Sequence, residues 1–305
     1  TGAAGFIGSH VCAALAEHDD ISAVIGLDDL STGELGNLVG IDVDLIEGSI
    51  LDPSKLDAAL AGADAIVHLA ARPSVPRSID DPVASHEANT VGTLRVLAAA
   101  RALDDAHVVV ASSSSVYGSN PSLPKHEDLA TLPLSPYAAS KLATEQYTLA
   151  WQHSYGLPAL AFRFFNVFGP RQQPGHAYAA AIPAFVHAAL ADEPAIVYGD
   201  GEQSRDFTYV GTVADVIADA VVRRVTSPTP VNLAFGTNTT LLAVLDEIEA
   251  ILGRPIERTH QPARVGDVRH SQADNARLRA LFPGTEPVDL REGLEATIAW
   301  HRTMR

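Results

Sequence analysis

The stretch Ser135-Pro-Tyr-Ala-Ala-Ser-Lys141 sets a phenol and an ammonium four residues apart, one turn of a helix. Ser135 suits a helix N-cap and Pro136 the first helical position, where a missing N–H costs nothing. Tyr137 and Lys141 then share one face. A free tyrosine titrates near pH 10, so service as a base near neutrality needs a fall worth roughly 4 kcal/mol. An ammonium at about 4 Å supplies about that much at an effective dielectric near 20. On its own this spacing is also met on ordinary amphipathic helices, so its meaning depends on two other clusters. The chain opens Thr1-Gly-Ala-Ala-Gly-Phe-Ile-Gly8. Glycines at 2, 5 and 8, with Phe6 and Ile7 between the last two, allow a tight turn, close approach of backbone to a pyrophosphate, and a helix N-terminus aimed at it. Asp28, twenty residues beyond Gly8, ends an apolar run and stands where a ribose 2′-hydroxyl is held. No Lys or Arg follows closely, which favours NAD over NADP. The third cluster, Ser112-Ser-Ser-Ser-Val-Tyr-Gly118, puts hydroxyls where the apolar run Val108–Ala111 ends.

The elements that must carry these clusters alternate in type. Apolar runs at Ile21–Leu27, Val43–Gly48, Ala65–Ala71, Val108–Ala111 and Ala159–Phe165 read as strands. Helical stretches start at Pro53 and cover Pro82–Leu103 and the segment after Ser135. Strand–helix alternation implies an α/β fold, a Rossmann-type doubly wound parallel sheet with both faces covered and ligands at the carboxyl ends of its strands. This NAD-binding part is expected over residues 1–165, with a return at about 208–237. From Phe168 to Gly175 proline- and glycine-rich connections replace the alternation, so 166–305 is expected to form a smaller mixed substrate lobe, with helices at Ile182–Leu190, Leu241–Leu252 and Leu290–Arg305 and a strand at Val231–Phe235. A glycine loop should follow a strand and none precedes Thr1; a fragment at the N-terminus, poorly stable by itself, is therefore expected. With 305 residues, 47% apolar and 19% charged, the chain can bury a large core. Its net charge of −16 opposes nucleic-acid binding, so a phosphate ligand must meet isolated arginines. One cysteine, Cys12, excludes an internal disulfide and fits a buried thiol in a reducing cytoplasm. No run of about 18 apolar residues argues for a membrane span, and the 12 histidines lack metal-ligand spacing.

Taken together, the glycine loop, His68-Leu-Ala-Ala71, Ser112–Gly118, Tyr137-Ala-Ala-Ser-Lys141, Phe162-Arg-Phe-Phe-Asn-Val-Phe-Gly-Pro-Arg171, Gly199-Asp-Gly201, Arg205-Asp-Phe207 and the segment from Arg264 to Asp267 resemble the extended short-chain dehydrogenase/reductases, in their nucleotide-sugar epimerase/dehydratase branch. The resemblance implies NAD as cofactor and a UDP-sugar as substrate. It implies Tyr137 as the base at the sugar 4-hydroxyl, Lys141 as its tuner and ribose ligand, and Ser113, helped by Ser114, as the hydroxyl that orients the reacting oxygen. It assigns the cofactor Gly2, Gly5, Phe6, Ile7, Gly8, Asp28, Leu30, Ser31, Gly33, Ser49, Ile50, Leu69, Ala70, Ala71, Asn89 and Phe164; many relatives carry an acid in place of Ser49. To the substrate it assigns Ser74, Asn166, Ala180, Arg205, Arg264, Asp267 and Ser271, with the arginines on the diphosphate. Ser271 stands where a bulky aromatic restricts the pocket to glucose and galactose, so 2-acetamido sugars are expected to fit. Arg77 is the one candidate donor for a C6 carboxylate, which keeps uronates as an alternative. A 4,6-dehydratase or a decarboxylase would need an acid at Ser115 or Ser114, and a non-catalytic NAD-binding scaffold would not need the Ser113/Tyr137/Lys141 set. The family commonly dimerises through the helices matching Pro82–Leu103 and Pro136–Tyr155.

Overall fold

The computed structural model describes residues 1–103, 105–174, 180–263 and 268–304. The glycine loop leads into α1 (Phe6–Ala16), followed by β1 (Ile25–Asp28), β2 (Asp44–Glu47), α2 (Pro53–Leu60) and β3 (Ala65–His68). Next come α3 (Val75–Asp80) and α4 (Pro82–His86), a π-turn at Glu87–Val91, α5 (Gly92–Arg101), β4 (His107–Ser113), α6 (Pro136–Tyr155) and β5 (Ala159–Phe164). The helix expected over Pro82–Leu103 is thus one helical run wound wider in its middle. β6 (Asn166–Phe168), α7 (Ala181–Ala191), β7 (Ala195–Tyr198), β8 (Ser204–Arg205), β9 (Phe207–Tyr209), α8 (Val210–Val222) and β10 (Val231–Leu233) follow. β11 (Thr239–Thr240), α9 (Leu241–Leu252), β12 (Arg258–Gln261), α10 (Ala276–Leu281) and α11 (Leu290–Thr303) close the described chain.

The sheet is parallel and doubly wound. β10, β5, β4 and β3 lie side by side in that order, and β1 pairs with β2. The first residues join these two groups: the Thr1 amine donates to Val67 O at 2.8 Å, Leu69 N–H to Thr1 O at 3.1 Å, and Gly2 N–H to Leu27 O at 2.8 Å. β4 carries the run Val108-Val-Val110, buried on both sides, because helices cover both faces of the sheet. One core packs the sheet's Leu160, Phe162 and Leu233 against Val213, Ile217 and Val221 of α8. A second gathers Phe185 and Val186 of α7, Leu245 and Ile248 of α9, and Leu294 and Ile298 of α11 around Val197. The α6 helix begins where Ser135 Oγ accepts the Ala138 N–H at 3.1 Å, and it stops at Gly156, whose φ of +71° suits a residue without a Cβ.

Candidate active site

A cleft of about 850 Å³ opens at the carboxyl ends of β1, β3, β4 and β5. At one end it is floored by the glycine loop. Gly2 has a φ of +73°, and a Cβ on Gly8 would lie 1.9 Å from Gly2 O. Only the observed glycines let the loop fold this tightly beneath the N-terminus of α1, which is the cradle a dinucleotide pyrophosphate requires. Asp28, at the end of β1, accepts the Ala4 N–H at 2.9 Å through Oδ2 and the Leu30 N–H at 2.8 Å through Oδ1. Each carboxylate oxygen keeps a further acceptor site for a ribose hydroxyl. Loop and acid together fit NAD.

At the other end Ser113, Tyr137 and Lys141 share the cleft wall with Phe164. Parallel pairing of β4 with β5 sets Ser113 beside Phe164. Tyr137 is seated by its own backbone: its N–H donates to Ser78 Oγ at 2.9 Å, and Ser78 Oγ–H donates to Val75 O at 2.7 Å, which ties α3 to the first turn of α6. Lys141 Nζ donates to Ala111 O at 2.9 Å. The surrounding protein dries both groups. Burial pushes the Tyr137 phenol up, and its hydrogen bond with Ser113 pulls it only part of the way back. One N–H of the Lys141 ammonium goes to the Ala111 carbonyl, and burial pulls the group down to about 8. Spacing along the helix places the two groups on one face but leaves out the cost of drying them.

Of the residues expected at the cofactor, Gly2, Gly5, Phe6, Ile7, Gly8, Asp28, Ser31, Ser49, Ile50, Leu69, Ala70, Ala71 and Phe164 line this cleft. Leu30 and Gly33 do not: Leu30 turns back on Asp28, and Gly33 packs against Ala4. Asn89 also lies off the lining, buried in the π-turn. Its amide accepts the Arg72 N–H at 2.7 Å and donates to Ser140 Oγ at 2.9 Å, so it ties the loop after β3 to α6. Of the residues expected at the substrate, Ser74, Ser114, Asn166, Ala180, Arg205 and Ser271 are off this lining. Ser74 caps α3 through the Arg77 N–H, and Asn166 faces Asp206. Arg205 and Ser271 stand together, since the Ser271 N–H donates to Ser204 O at 3.1 Å and Arg205 Nη1 donates to Arg269 O at 3.3 Å. Arg264 and Asp267 lie outside the described residues, as do residues 175–179.

Sequence reasoning passed over Arg72, Glu87 and Gln172, which also line the cleft, and Asp206 between two recognised neighbours. Asp206 is fully buried. Its carboxylate accepts N–H groups from Gly236 and Ala273 at 3.0 Å each and the Thr237 hydroxyl at 3.0 Å, and so holds the segment carrying Ser271 against the strand carrying Arg205. Its place inside the Arg205-Asp-Phe207 motif was the available signal.

Residues 1–234 match the NAD dependent epimerase/dehydratase family. A UDP-glucose 4-epimerase of Mycolicibacterium smegmatis is 38% identical over 312 residues, covering 99% of this chain and 97% of that protein. A solved UDP-N-acetylglucosamine 4-epimerase from Methanobrevibacter ruminantium, in complex with UDP-N-acetylmuramic acid, superposes with a TM-score of 0.93 at 36% identity, covering 100% of this chain and 97% of that one. A UDP-glucuronic acid 4-epimerase from Bacillus cereus, in complex with UDP-glucuronic acid and NAD, gives 0.90 at 29% identity, with 100% and 98% covered.

Proposed function

Because this chain belongs to the NAD dependent epimerase/dehydratase family, we propose that it inverts C4 of a UDP-hexose through a transient 4-keto sugar. The observation that carries this reading is the convergence of Ser113, Tyr137 and Lys141 in the same cleft as the glycine loop and Asp28. NAD, when bound there, supplies the hydride acceptor for C4. Tyr137 Oη takes the proton of the 4-hydroxyl and returns it to that oxygen as hydride comes back to the opposite face of C4. Ser113 Oγ, which shares the cleft wall with that phenol, orients the reacting oxygen. Ionising a phenol that burial has pushed up needs positive charge in the same dry cavity. Lys141 carries it, for an ammonium titrating at about 8 is still largely protonated at neutral pH.

Arg205, with Arg264 and Asp267, is assigned to the UDP moiety, and the small Ser271 beside Arg205 favours UDP-N-acetylhexosamines as well as or instead of UDP-glucose and UDP-galactose. A UDP-uronate is the second reading. It is favoured by Arg77, which lines the cleft and has no acceptor for its guanidinium among the described residues. Ser114 and Ser115 leave a dehydratase or a decarboxylase without its acid. A single panel tests these readings: initial rates with UDP-glucose, UDP-N-acetylglucosamine and their uronic acids. Epimerisation of UDP-N-acetylglucosamine at least as efficient as that of UDP-glucose is expected. No product from any of them, with no enzyme-bound NADH in a single turnover, would leave a non-catalytic scaffold.

Among the described residues no helix is long and apolar enough to cross a membrane. We further propose a homodimer in which α4–α5 and α6 of two copies form a four-helix bundle. Tyr147 and Tyr155 on α6 and Val83 on α4 are exposed large side chains that such a bundle would cover. Light scattering at micromolar concentration is expected to give twice the chain mass; a monomer contradicts the assignment.

A further inference from the structure

Directly behind the site lies a pair of charges that this mechanism does not use. Glu145, on α6 four residues after Lys141 and eight after Tyr137, is 0% exposed, and Arg163 on β5 is 3% exposed. Arg163 Nε and Nη2 meet the two carboxylate oxygens at 2.8 and 2.7 Å. A buried ion pair is weak evidence for stability, because lost hydration offsets the attraction and an apolar pair of equal volume serves as well. What it provides is geometry, since a two-pronged contact sets both distance and orientation.

Its third partner connects it to the site. Ser112 Oγ–H donates to Glu145 Oε2 at 3.0 Å and lies 3.4 Å from Lys141 O. In the β4–β5 register Ser112 stands beside Arg163, one residue before Ser113 beside Phe164. Arg163 is braced from outside: Nη1 donates to Glu127 O at 3.2 Å, and the guanidinium stacks 4.7 Å above the Tyr117 ring. From these contacts we propose that the Glu145–Arg163 pair is a positioning element that, through Ser112, sets the height of α6 against the end of β4. It thereby holds Ser113 and Lys141 in place around Tyr137. Apolar packing is non-directional and would let the helix slide along the strand. Hydrogen bonds from Ser113 and Tyr137 to a common reacting oxygen would not survive that, because such bonds weaken steeply with misalignment.

The inference rests on the acid–base reading of Tyr137, and its test separates the two. The variants are Glu145→Leu combined with Arg163→Met, and separately Ser112→Ala, each measured as the NAD-bound protein beside wild type. Neither alters a charged side chain that lines the cavity with Tyr137, namely Lys141 on α6, Arg77 on α3, Arg72 after β3, Glu87 in the π-turn, and Asp28 and Asp29 at the end of β1. The double variant is expected to fold and to keep KM for the UDP-sugar, with kcat lower by about 10–100-fold, as small misplacements of reacting groups produce. The acid limb of its pH–rate profile should rise by roughly 0.5–1 pH unit, the worth of one hydrogen bond to the phenolate. Ser112→Ala should shift the limb the same way with the ion pair intact. Ionisation of Tyr137, isolated as the ultraviolet difference against the Tyr137→Phe protein, should follow without turnover, so this arm decides the positioning role even if every UDP-sugar proves inert. A folded double variant with wild-type kcat, pH profile and Tyr137 ionisation overturns the proposal. If the double variant does not fold, Ser112→Ala decides, and an unmoved limb and ionisation there overturn it too.

Discussion

Replacing Tyr137 with phenylalanine is expected to lower kcat by about 10²–10⁴-fold, the range that a positioned acid–base group supplies. UDP-sugar affinity should stay near wild type. The substitution removes one oxygen and leaves the ring, the α6 backbone and the Tyr137 N–H bond to Ser78 as they are, so the fold has no reason to respond. Steady-state rates paired with a binding titration separate the two effects. A variant retaining more than about a tenth of wild-type turnover, well short of that range, would remove Tyr137 from the chemistry. The sign of its ionisation matters to the interpretation. Burial raises the phenol and Ser113 lowers it, so the active form requires the proton to leave against desolvation.

The second large effect is on selectivity. Ser271→Tyr should sharply lower turnover of UDP-N-acetylglucosamine while sparing that of UDP-glucose. An acetamido group at C2 needs room that a phenol ring would occupy, and overpacking costs roughly 1–3 kcal/mol, or about 5- to 150-fold in the ratio of kcat/KM values. The backbone at Ser271 is held by Ser204 O, and its neighbour Ala273 by the buried Asp206, so an added ring has little freedom to swing aside with the chain. Competition between the two sugars in one reaction gives the ratio directly. A tyrosine variant that keeps both activities in their original proportion, or a wild type that turns over only the non-acetylated sugars, defeats the gate.

How much of this was legible beforehand depends on how local each feature is. The glycine loop, the capped start of α6 and the strand–helix alternation were read within a residue or two. Each depends on backbone geometry over a few residues, as where Ser135 caps and Gly156 stops the helix. The apolar run Ile21–Leu27 is longer than the strand it contains: β1 starts only at Ile25, where pairing with β2 begins. The π-turn at Glu87–Val91 left no periodicity to read. It exists where Asn89 turns inward to bond Arg72 and Ser140, partners 17 and 51 residues away along the chain.

What the sequence determined by itself, then, is the set of reactive groups and the order of the elements carrying them. Gly2, Gly5 and Gly8 admit a phosphate because of what they lack, Asp28 ends its strand, and Tyr137 and Lys141 share a face because a helix repeats every 3.6 residues. The tertiary structure decided what those groups experience. Drying raises Tyr137 and lowers Lys141, the Ala111 carbonyl anchors one N–H of the ammonium, and Glu145 finds Arg163 across 18 residues of chain. Burial and partner choice are sums over segments far apart in sequence, and no periodicity within one segment records them.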